Sequence, residues 1–362
     1  MSRREVIAGD CREVMAAMEP CSVSAIVTDP PYELGFMGKG WDASGIAYDR
    51  EVWAEAFRVL KPGGHIAAFG GTRTYHRMAV AIEDAGFEIR DSLMWLYGSG
   101  FPKSLDVSKA IDKAAGAERE VTGSRPAPRR VGTVDVAQWG YRDAPIDITA
   151  PAPDAAREWE EWGTALKPAY EPIVLARKPL SGTVAATVLE HGTGALNIDA
   201  SRVAGADGSG HWSGDDGSDA TSRPGYDGGF TQGGVKASGR WPANLILDPD
   251  AGAMLDEQVG GKQGPSRFFY SAKASKAERE AGLEPTDDGS RANKHPTVKP
   301  IALMRWMVRL VTPPGGTVLD PFTGSGSTGV ACVAEGFDFI GIEQDLESLR
   351  TARARIDYWA SR

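Results

Sequence analysis

Apolar and polar positions along the first hundred residues alternate between a strand-like and a helix-like period. Short apolar runs predict buried strands, and longer stretches with apolar residues three or four apart predict amphipathic helices. A Lys-Pro-Gly-Gly turn signal at residues 61–64 and Gly86 mark the ends of two helices. This alternation predicts a parallel sheet with helices on both faces. The predicted strands cover residues 3–8, 23–28, 65–69 and 87–96, and the predicted helices cover 11–18, 49–60 and 72–85.

The end of the chain repeats this alternation. Residues 301–311 have the spacing of an amphipathic helix, and residues 317–328 read as a strand, a glycine loop and the start of a helix that runs to about 334. A second strand at 337–342 ends at Glu343. The pattern is half of a nucleotide-binding βαβ unit.

The middle of the chain has weaker patterns. Residues 105–115 predict a helix, and the stretch 117–157, rich in proline and arginine, predicts loops or a mobile arm. Residues 166–179 predict a strand that re-enters the sheet. The stretch 204–239 contains many glycines, serines and aspartates with few apolar residues, so we expect it to be flexible.

The segment Asp29-Pro30-Pro31-Tyr32 directly follows the predicted strand at 23–28. A carboxylate and a proline carbonyl can accept hydrogen bonds from an exocyclic NH2, and a tyrosine ring can stack on a flat heterocycle. Proline fixes the backbone and has no N–H, so the segment is stiff. An ordinary turn is the alternative, since Asp-Pro is common in turns. The segment resembles the D-P-P-Y motif of amino-directed DNA methyltransferases.

Gly324, Gly326 and Gly329 have the spacing G-x-G-x-x-G. Glycines let the backbone approach a ligand closely, and an acid such as Glu343 at the end of the next strand can bind both ribose hydroxyls. A nicotinamide dinucleotide is the competing ligand, but Glu343 lies 14 residues after Gly329, whereas that fingerprint uses about 20. The preceding Asp-Pro-Phe at 320–322 resembles the S-adenosylmethionine loop of methyltransferases, which favours that cofactor.

Two further segments resemble motifs of the same methyltransferases. Residues 293–300, Asn-Lys-His-Pro-Thr-Val-Lys-Pro, resemble the H-P-T-x-K-P segment that helps to hold the methionine end of the cofactor in these enzymes. A proline-rich linker is the alternative. Residues 9–11, Gly-Asp-Cys, are by themselves a turn, but an acid at this position typically contacts the adenine of the cofactor in the same enzymes.

The order of these motifs resembles the beta group of DNA amino-methyltransferases, which are circular permutations of one α/β domain. The match covers residues 3–98 and 293–356. It implies a Rossmann-like S-adenosylmethionine-dependent methyltransferase fold with a seven-stranded, mostly parallel sheet, to which a small hairpin adds antiparallel strands at the far edge. The implied catalytic domain is 1–98 with 290–362, and 99–289 is an insert that holds a returning strand near 165–180 and a target-recognition region.

The resemblance also implies residue roles. The catalytic residues would be Asp29, Pro30, Pro31 and Tyr32. In the returning strand, Lys-Pro at 167–168 and Glu-Pro at 171–172 either shape the pocket for the target base or frame an edge strand, and we favour the pocket. The implied residues that bind S-adenosylmethionine are Asp10, Cys11, Asp29, His295, Thr297, Lys299, Pro300, Asp320, Pro321, Phe322, Thr323, Gly324, Gly326, Ser327, Thr328, Glu343 and Gln344.

The implied reaction is methyl transfer from S-adenosylmethionine to the N6 amino group of an adenine that has left the duplex. Aspartate at the first motif position favours adenine. Cytosine N4 is the alternative, and an RNA or protein substrate is a more distant one, although a protein glutamine methyltransferase would be expected to have asparagine in place of Asp29. A non-catalytic DNA-binding module and a dehydrogenase are less well supported, because the methyltransferase cofactor motifs are intact.

The net charge of −9 is unusual for a protein expected to bind double-stranded DNA, which typically requires a basic surface. Basic residues do cluster locally, and Lys39 and Trp41 lie in a glycine-flanked segment that we expect to close as a flap over the extruded base. We predict DNA contacts at Lys39, Trp41, Arg129 and Arg130, with an ordinary solvated surface as the alternative for each basic group.

The composition is that of a chain with a sizeable core, since 41% of its 362 residues are hydrophobic. No apolar window approaches the 18 residues of a membrane span, and the first residues lack the apolar stretch of a signal peptide. Three cysteines without metal spacing predict reduced thiols and no metal site. We therefore expect a cytoplasmic protein of prokaryotic or phage origin. Beta-group relatives suggest a homodimer, although no interface motif is visible.

Overall fold

The computed structural model describes residues 3–35, 40–98, 100, 104–126, 145–203, 239–259, 264–271, 276–284, 292–295 and 297–362. These residues form one large sheet with helices on both faces, and a separate sheet of two antiparallel strands. The strands are β1 (Arg4–Ala8), β2 (Val23–Thr28), β3 (Leu60–Phe69), β4 (Glu88–Leu96), β5 (Glu120–Arg125), β6 (Ile146–Ala150), β7 (Tyr170–Arg177), β8 (Leu245–Leu247), β9 (Tyr270–Ser271), β10 (Thr317–Asp320) and β11 (Asp338–Glu343). The helices are α1 (Cys11–Ala16), α2 (Arg50–Val59), α3 (Tyr75–Asp84), α4 (Val107–Ala114), α5 (Asp154–Glu158), α6 (Val184–His191), α7 (Pro249–Val259), α8 (Lys276–Glu280), α9 (Ile301–Val311), α10 (Ser327–Glu335) and α11 (Leu346–Ala360).

The large sheet has the strand order β1-β11-β10-β2-β3-β7-β4-β8-β9. Its described strands pair in parallel except at β7, which runs antiparallel to both β3 and β4. The predicted α/β fold with a mostly parallel sheet is confirmed. Seven strands were too few, because β8 and β9 extend the sheet beyond β4. β8 spans three residues and β9 spans two, so neither is long enough to show a period of apolar residues in the sequence.

The predicted antiparallel hairpin at the far edge is wrong. The antiparallel strand β7 lies inside the sheet, and the far edge is built by β8 and β9, which run parallel to β4. The chain after β4 leaves the sheet and returns as β7, which inserts between β3 and β4 and runs antiparallel to both.

The beginning and the end of the chain interleave in this sheet. β10 pairs with β2, with Val318 opposite Ala25 and Leu319 opposite Ile26. β11 lies between β10 and β1. Two strands from the end of the chain therefore separate the first strand from the second, as the permuted motif order predicts.

The sheet is buried on both faces. Every residue of β2 is buried, and its side chains alternate between two layers. Val27 packs with α9, α10 and α11 around Trp306, whereas Ile26 packs with α1, α2 and α3 around Trp53. The two layers fix the strand ends on which the candidate site is built.

The middle of the chain contains more regular structure than its composition predicts. The helix expected at 105–115 is confirmed as α4, but β5, β6 and α5 lie within 117–157, where loops were expected. Arg119 connects these elements to α4. It pairs with the buried Asp112 of α4 and donates to the Thr149 side chain of β6 at 2.8 Å. Residues 127–144 and 204–238 lie outside the described residues. The second range includes all but one residue of 204–239, the stretch expected to be flexible. The division into two domains stays a prediction.

Within the described residues, none of the helices has the length and apolar character that a membrane crossing requires.

Candidate active site

The carboxyl ends of β2 and β10 meet because these strands are parallel neighbours. Thr28, the last residue of β2, donates from Oγ1 to Oδ1 of Asp320, the last residue of β10, at 2.6 Å. Asp320 is almost fully buried, and burial raises its pKa to about 6. The structure thus ties together two loops whose residues stand 292 positions apart in the sequence.

The loops line one cleft of about 1610 Å³. Its wall is formed by the Asp-Pro-Pro-Tyr segment, the glycine loop, the end of β11 and residues near 295–299. Of the residues predicted to act in the site, Asp10, Pro300 and Gly326 do not line it. The predicted residues that do line it are Cys11, Asp29, Pro30, Pro31, Tyr32, His295, Thr297, Lys299, Asp320, Pro321, Phe322, Thr323, Gly324, Ser327, Thr328, Glu343 and Gln344.

Asp10 has a structural partner. Its carboxylate caps α1 by accepting from the Arg12 backbone N–H at 2.8 Å and also pairs with the Arg12 guanidinium at 2.8 Å, which lowers the pKa of Asp10. Its neighbour Cys11 does line the cleft, and burial raises the pKa of that thiol to about 12, so it is neutral. The contact of Asp10 with a cofactor stays a prediction.

The glycine loop is tied to the acid at the end of β11. The Gly324 N–H donates to Oε2 of Glu343 at 2.7 Å, and the Asp345 N–H donates to Oε1 at 2.8 Å. Gly324 has a φ of +52°, and a Cβ there would stand 2.9 Å from Nε2 of His295. Both observations require glycine at this position. Burial raises the pKa of Glu343, which lines the cleft beside the loop.

His295 presents an unpaired polar atom to this region. Its Nδ1 is buried and has no hydrogen-bond partner in the part of the chain that the structure describes. Burial, with smaller contributions from Lys299 and Arg279, lowers the pKa of His295 to about 4. The imidazole is therefore neutral near pH 7 and can donate or accept a hydrogen bond to a ligand.

Lys299 lies at the centre of a buried charged cluster. Its Nζ donates to Oδ2 of Asp29 at 2.5 Å and lies 3.4 Å from Oε2 of Glu171. The Tyr32 hydroxyl donates to the same Glu171 oxygen at 2.8 Å. The rings of Tyr32 and Phe69 lie 5.3 and 5.1 Å from the ammonium, within the range of cation–π attraction.

Two carboxylates share this one ammonium. Burial by itself lowers the pKa of Lys299, but the attraction of Asp29 and Glu171 outweighs burial and raises that pKa. Burial raises the pKa of Glu171, and burial followed by the nearby acids raises the pKa of Tyr32 well above its usual value. With both acids ionised, the cluster carries a net charge of about −1 beside the cleft.

The two oxygens of Asp29 differ in their surroundings. Oδ2 is bound by Lys299, whereas Oδ1 is buried and has no hydrogen-bond partner among the described residues. A buried carboxylate oxygen without a partner is costly, so it marks a place where a ligand donor would fit. The cluster therefore offers one acceptor atom that is free for a ligand.

Glu171 was predicted only as a residue that shapes the pocket for the target base, and its contacts with Lys299 and Tyr32 were not predicted. The available signal was an acid near the start of an otherwise apolar strand. Of the two interpretations of this segment, the edge strand is wrong, because β7 lies between β3 and β4. The pocket is favoured, because Glu171 contacts Tyr32 and Lys299. Lys299 was predicted to bind the methionine end of the cofactor, and in the structure it contacts Asp29.

The predicted DNA contacts receive little structural information. Lys39, Arg129 and Arg130 lie outside the described residues, as does residue 38 of the expected flap. The backbone of Trp41 belongs to the 3-10 turn Gly40–Ala43, and its side chain is not described. The lysine and arginine residues that line the cleft in the described part of the chain are Arg73, Lys167, Lys294 and Lys299.

Curated relatives match parts of this chain. YhdJ of Escherichia coli K12, named a DNA adenine methyltransferase, is 44% identical over 63 residues, or 17% of this chain and 21% of that protein. The type II methyltransferase M.HindIII of Haemophilus influenzae is 23% identical over 82% of this chain and 64% of its own length. The chain covers less than two thirds of the length of each of these relatives.

Solved structures and a family model extend the comparison to the whole chain. The structure titled PvuII DNA methyltransferase (cytosine-N4-specific) aligns with 98% of this chain and 87% of its own, at a TM-score of 0.48 and 14% identity. The family model described as DNA methylase matches residues 23–354, which is most of the chain. The chain therefore belongs to the DNA methylase family, whose methyl donor is S-adenosylmethionine.

Proposed function

We propose that this protein transfers a methyl group from S-adenosylmethionine to the N6 amino group of an adenine in double-stranded DNA. The observation that carries the proposal is the difference between the two carboxylate oxygens of Asp29. One of its oxygens is held by Lys299, and the other is buried and unpaired at the end of β2, beside the glycine loop. An acceptor fixed in this way suits an amino group that must be held in one orientation.

The residues around the glycine loop fit the cofactor. Gly324 leaves the backbone accessible, Glu343 offers carboxylate oxygens for ribose hydroxyls, and neutral His295 has a buried Nδ1 without a partner among the described residues. Thr297, Phe322, Thr323, Ser327, Thr328 and Gln344 line the same cleft and would complete the cofactor site. When bound, S-adenosylmethionine supplies an electrophilic methyl group on a sulfonium sulfur.

Asp29, Pro30 and Tyr32 would hold the target base. Oδ1 of Asp29 would accept a hydrogen bond from the amino group, and the carbonyl of Pro30, whose backbone is restricted by its own ring and by Pro31, would accept the second. The Tyr32 ring stacks on the face of the base. These contacts direct the nitrogen lone pair, and Oδ1 can take the proton that the nitrogen loses. The base must leave the duplex, because its amino group is otherwise buried in the stack.

Lys299 and Glu171 would set the charge and orientation of Asp29. The ammonium holds Oδ2, which leaves Oδ1 for the base, and Glu171 anchors both the ammonium and the Tyr32 hydroxyl. When ionised, the two carboxylates of the cluster would favour the positive charge that develops on the amino nitrogen. Charge stabilisation by fixed groups in a buried site is usually a large part of catalysis.

Adenine is favoured over cytosine by the aspartate at the first motif position. The E. coli relative that is named a DNA adenine methyltransferase supports this choice. Cytosine N4 chemistry would use the same cluster, since both bases carry an amino group next to a ring nitrogen. The cytoplasmic location and the homodimer stay predictions.

Long-read sequencing of DNA from a methylation-free host that expresses this chain tests the proposal. Modified adenine in one short sequence context is the expected result, and expression of Asp29→Ala provides the control for host background. Modified cytosine in a fixed context would overturn the choice of adenine. Absence of any modification, with cofactor binding measured in the purified protein, would overturn the DNA substrate.

A further inference from the structure

A strap formed by residues 164–169 lines the same cleft as Asp29 and Tyr32. At its centre, the Leu166 side chain is 92% exposed, the most exposed of the large hydrophobic residues in the described part of the chain. Full exposure of a leucine forgoes roughly 2 kcal/mol of burial free energy. A large apolar side chain is therefore exposed to solvent in the wall of the cleft that contains Asp29.

The strap is held in place by hydrogen bonds on both sides of Leu166. On one side, the Thr164 N–H donates to Oγ of Ser104 at 2.9 Å, and on the other the Tyr97 N–H donates to the Ala169 carbonyl at 2.9 Å. The Lys167 ammonium donates to the Gly98 carbonyl at 2.6 Å. Leu166 is thus presented to solvent by a fixed backbone.

Close packing adds to this restraint. The Pro168 carbonyl oxygen passes so near Gly100 that a Cβ on that glycine would overlap with it. Pro168 also limits the backbone of Lys167, the residue that follows Leu166. A backbone held in this way loses little conformational entropy when a partner buries the side chain that it carries.

We propose that Leu166 inserts into the base stack of the DNA duplex and fills the space that the target base vacates. This inference rests on the proposed function, which requires the base to enter the cleft. Oδ1 of Asp29 is buried on the wall of that cleft, so a base still stacked in the duplex cannot reach it. Apolar side chains that enter a base step offset the loss of stacking, and the rim of the cleft is where the gap in the duplex would lie.

A second copy of this chain is the other partner that could cover an exposed leucine. A subunit seated on Leu166 would cover the rim of the cleft and obstruct entry of the duplex. The cation of the strap, Lys167, is at the same rim, where it suits a phosphate backbone. The position of Leu166 therefore favours DNA.

The test compares Leu166→Ala with Leu189→Ala, a matched control in α6. Leu189 is 88% exposed and does not line the cleft. The probe is a duplex that carries the sequence context found by methylome sequencing, prepared once fully paired and once with the target base mispaired. We expect Leu166→Ala to lower the methylation rate of the paired duplex by about ten-fold and that of the mispaired duplex less than two-fold, because a mispaired base is already easier to extrude. Leu189→Ala should match the wild type on both.

Several outcomes would overturn the inference. Equal losses on the paired and mispaired duplexes would assign Leu166 a structural role, and wild-type rates on both would assign it none. A change in sedimentation of Leu166→Ala without DNA would point to a second copy instead. Each of these results presupposes an active wild type, so a failure of the proposed function, in which the wild type methylates no DNA, is distinguishable. Cofactor affinity of each variant checks that it is folded.

Discussion

The Lys299 ammonium lies 2.5 Å from Oδ2 of Asp29, and both side chains are largely buried. The two residues stand 270 positions apart in the sequence and meet where α9, which follows Lys299, packs on β2 and β3. Since Lys299 lies two residues before the start of α9, the contact also attaches that helix to the Asp-Pro-Pro-Tyr loop. A segment expected to serve the cofactor thus contacts Asp29, the residue that we propose holds the target base.

Replacement of Lys299 by methionine keeps the length of the side chain and removes its charge. We expect turnover to fall by about 100-fold or more, because Asp29 loses its fixed orientation. The dissociation constant for S-adenosylmethionine, measured by calorimetry, should stay within a few-fold of the wild type. The melting temperature should fall, because two buried carboxylates lose their common partner. A loss of cofactor affinity as large as the loss of turnover would instead make Lys299 a cofactor ligand.

Glu171→Gln removes the second acid but keeps an oxygen for the Tyr32 hydroxyl. We expect turnover to fall by about ten-fold, because Lys299 loses one of its two anchors. In the wild type, burial raises the pKa of Glu171, so turnover should decline as the pH falls through that raised pKa and the carboxylate is neutralised. The variant should lack this part of the decline in its pH–rate profile. Glu190→Gln, an exposed change outside the cleft, is the control, and an unaltered profile in Glu171→Gln would contradict the role.

Local motifs predicted the positions of the two loops. The apolar run before Asp29 and the glycines after Asp320 each define a strand and the loop at its end, and parallel strands expose their carboxyl ends at one edge. Asp10 shows the limit of a motif, because an aspartate immediately before a predicted helix is also a typical N-cap. In the structure it accepts from Arg12, as a cap does.

The Lys299 cluster could not be predicted from the sequence. Asp29, Glu171 and Lys299 come from three distant segments, and their contact depends on how far each side chain reaches across neighbouring strands. The insertion of β7 between β3 and β4 brings Glu171 to the site, and no local pattern encodes that position. Long-range side-chain geometry, more than secondary structure, was missing from the sequence interpretation.

Asp29→Ala tests the acceptor itself. We expect turnover to fall by about 100-fold to 1000-fold, because the amino group loses the hydrogen bond that directs its lone pair. Affinity for S-adenosylmethionine should change by no more than a few-fold, since the glycine loop and Glu343 are unaltered. Single-turnover methylation and calorimetry measure the two quantities. A variant with normal turnover would refute the assignment of Asp29.

Gly324→Ala and Gly315→Ala separate two effects of a methyl group on a glycine with positive φ. Both glycines have φ values in the left-handed region, +52° and +67°, so each alanine should cost about 1 kcal/mol of stability. At Gly324 the new Cβ would also stand 2.9 Å from Nε2 of His295, whereas nothing lies within 4 Å of a Cβ at Gly315. We therefore expect cofactor affinity to fall at least about ten-fold in Gly324→Ala and to be unchanged in Gly315→Ala, because the loop can no longer approach the cofactor closely. Calorimetry with S-adenosylmethionine measures the difference, and equal affinities in the two variants would show that the loop does not bind the cofactor.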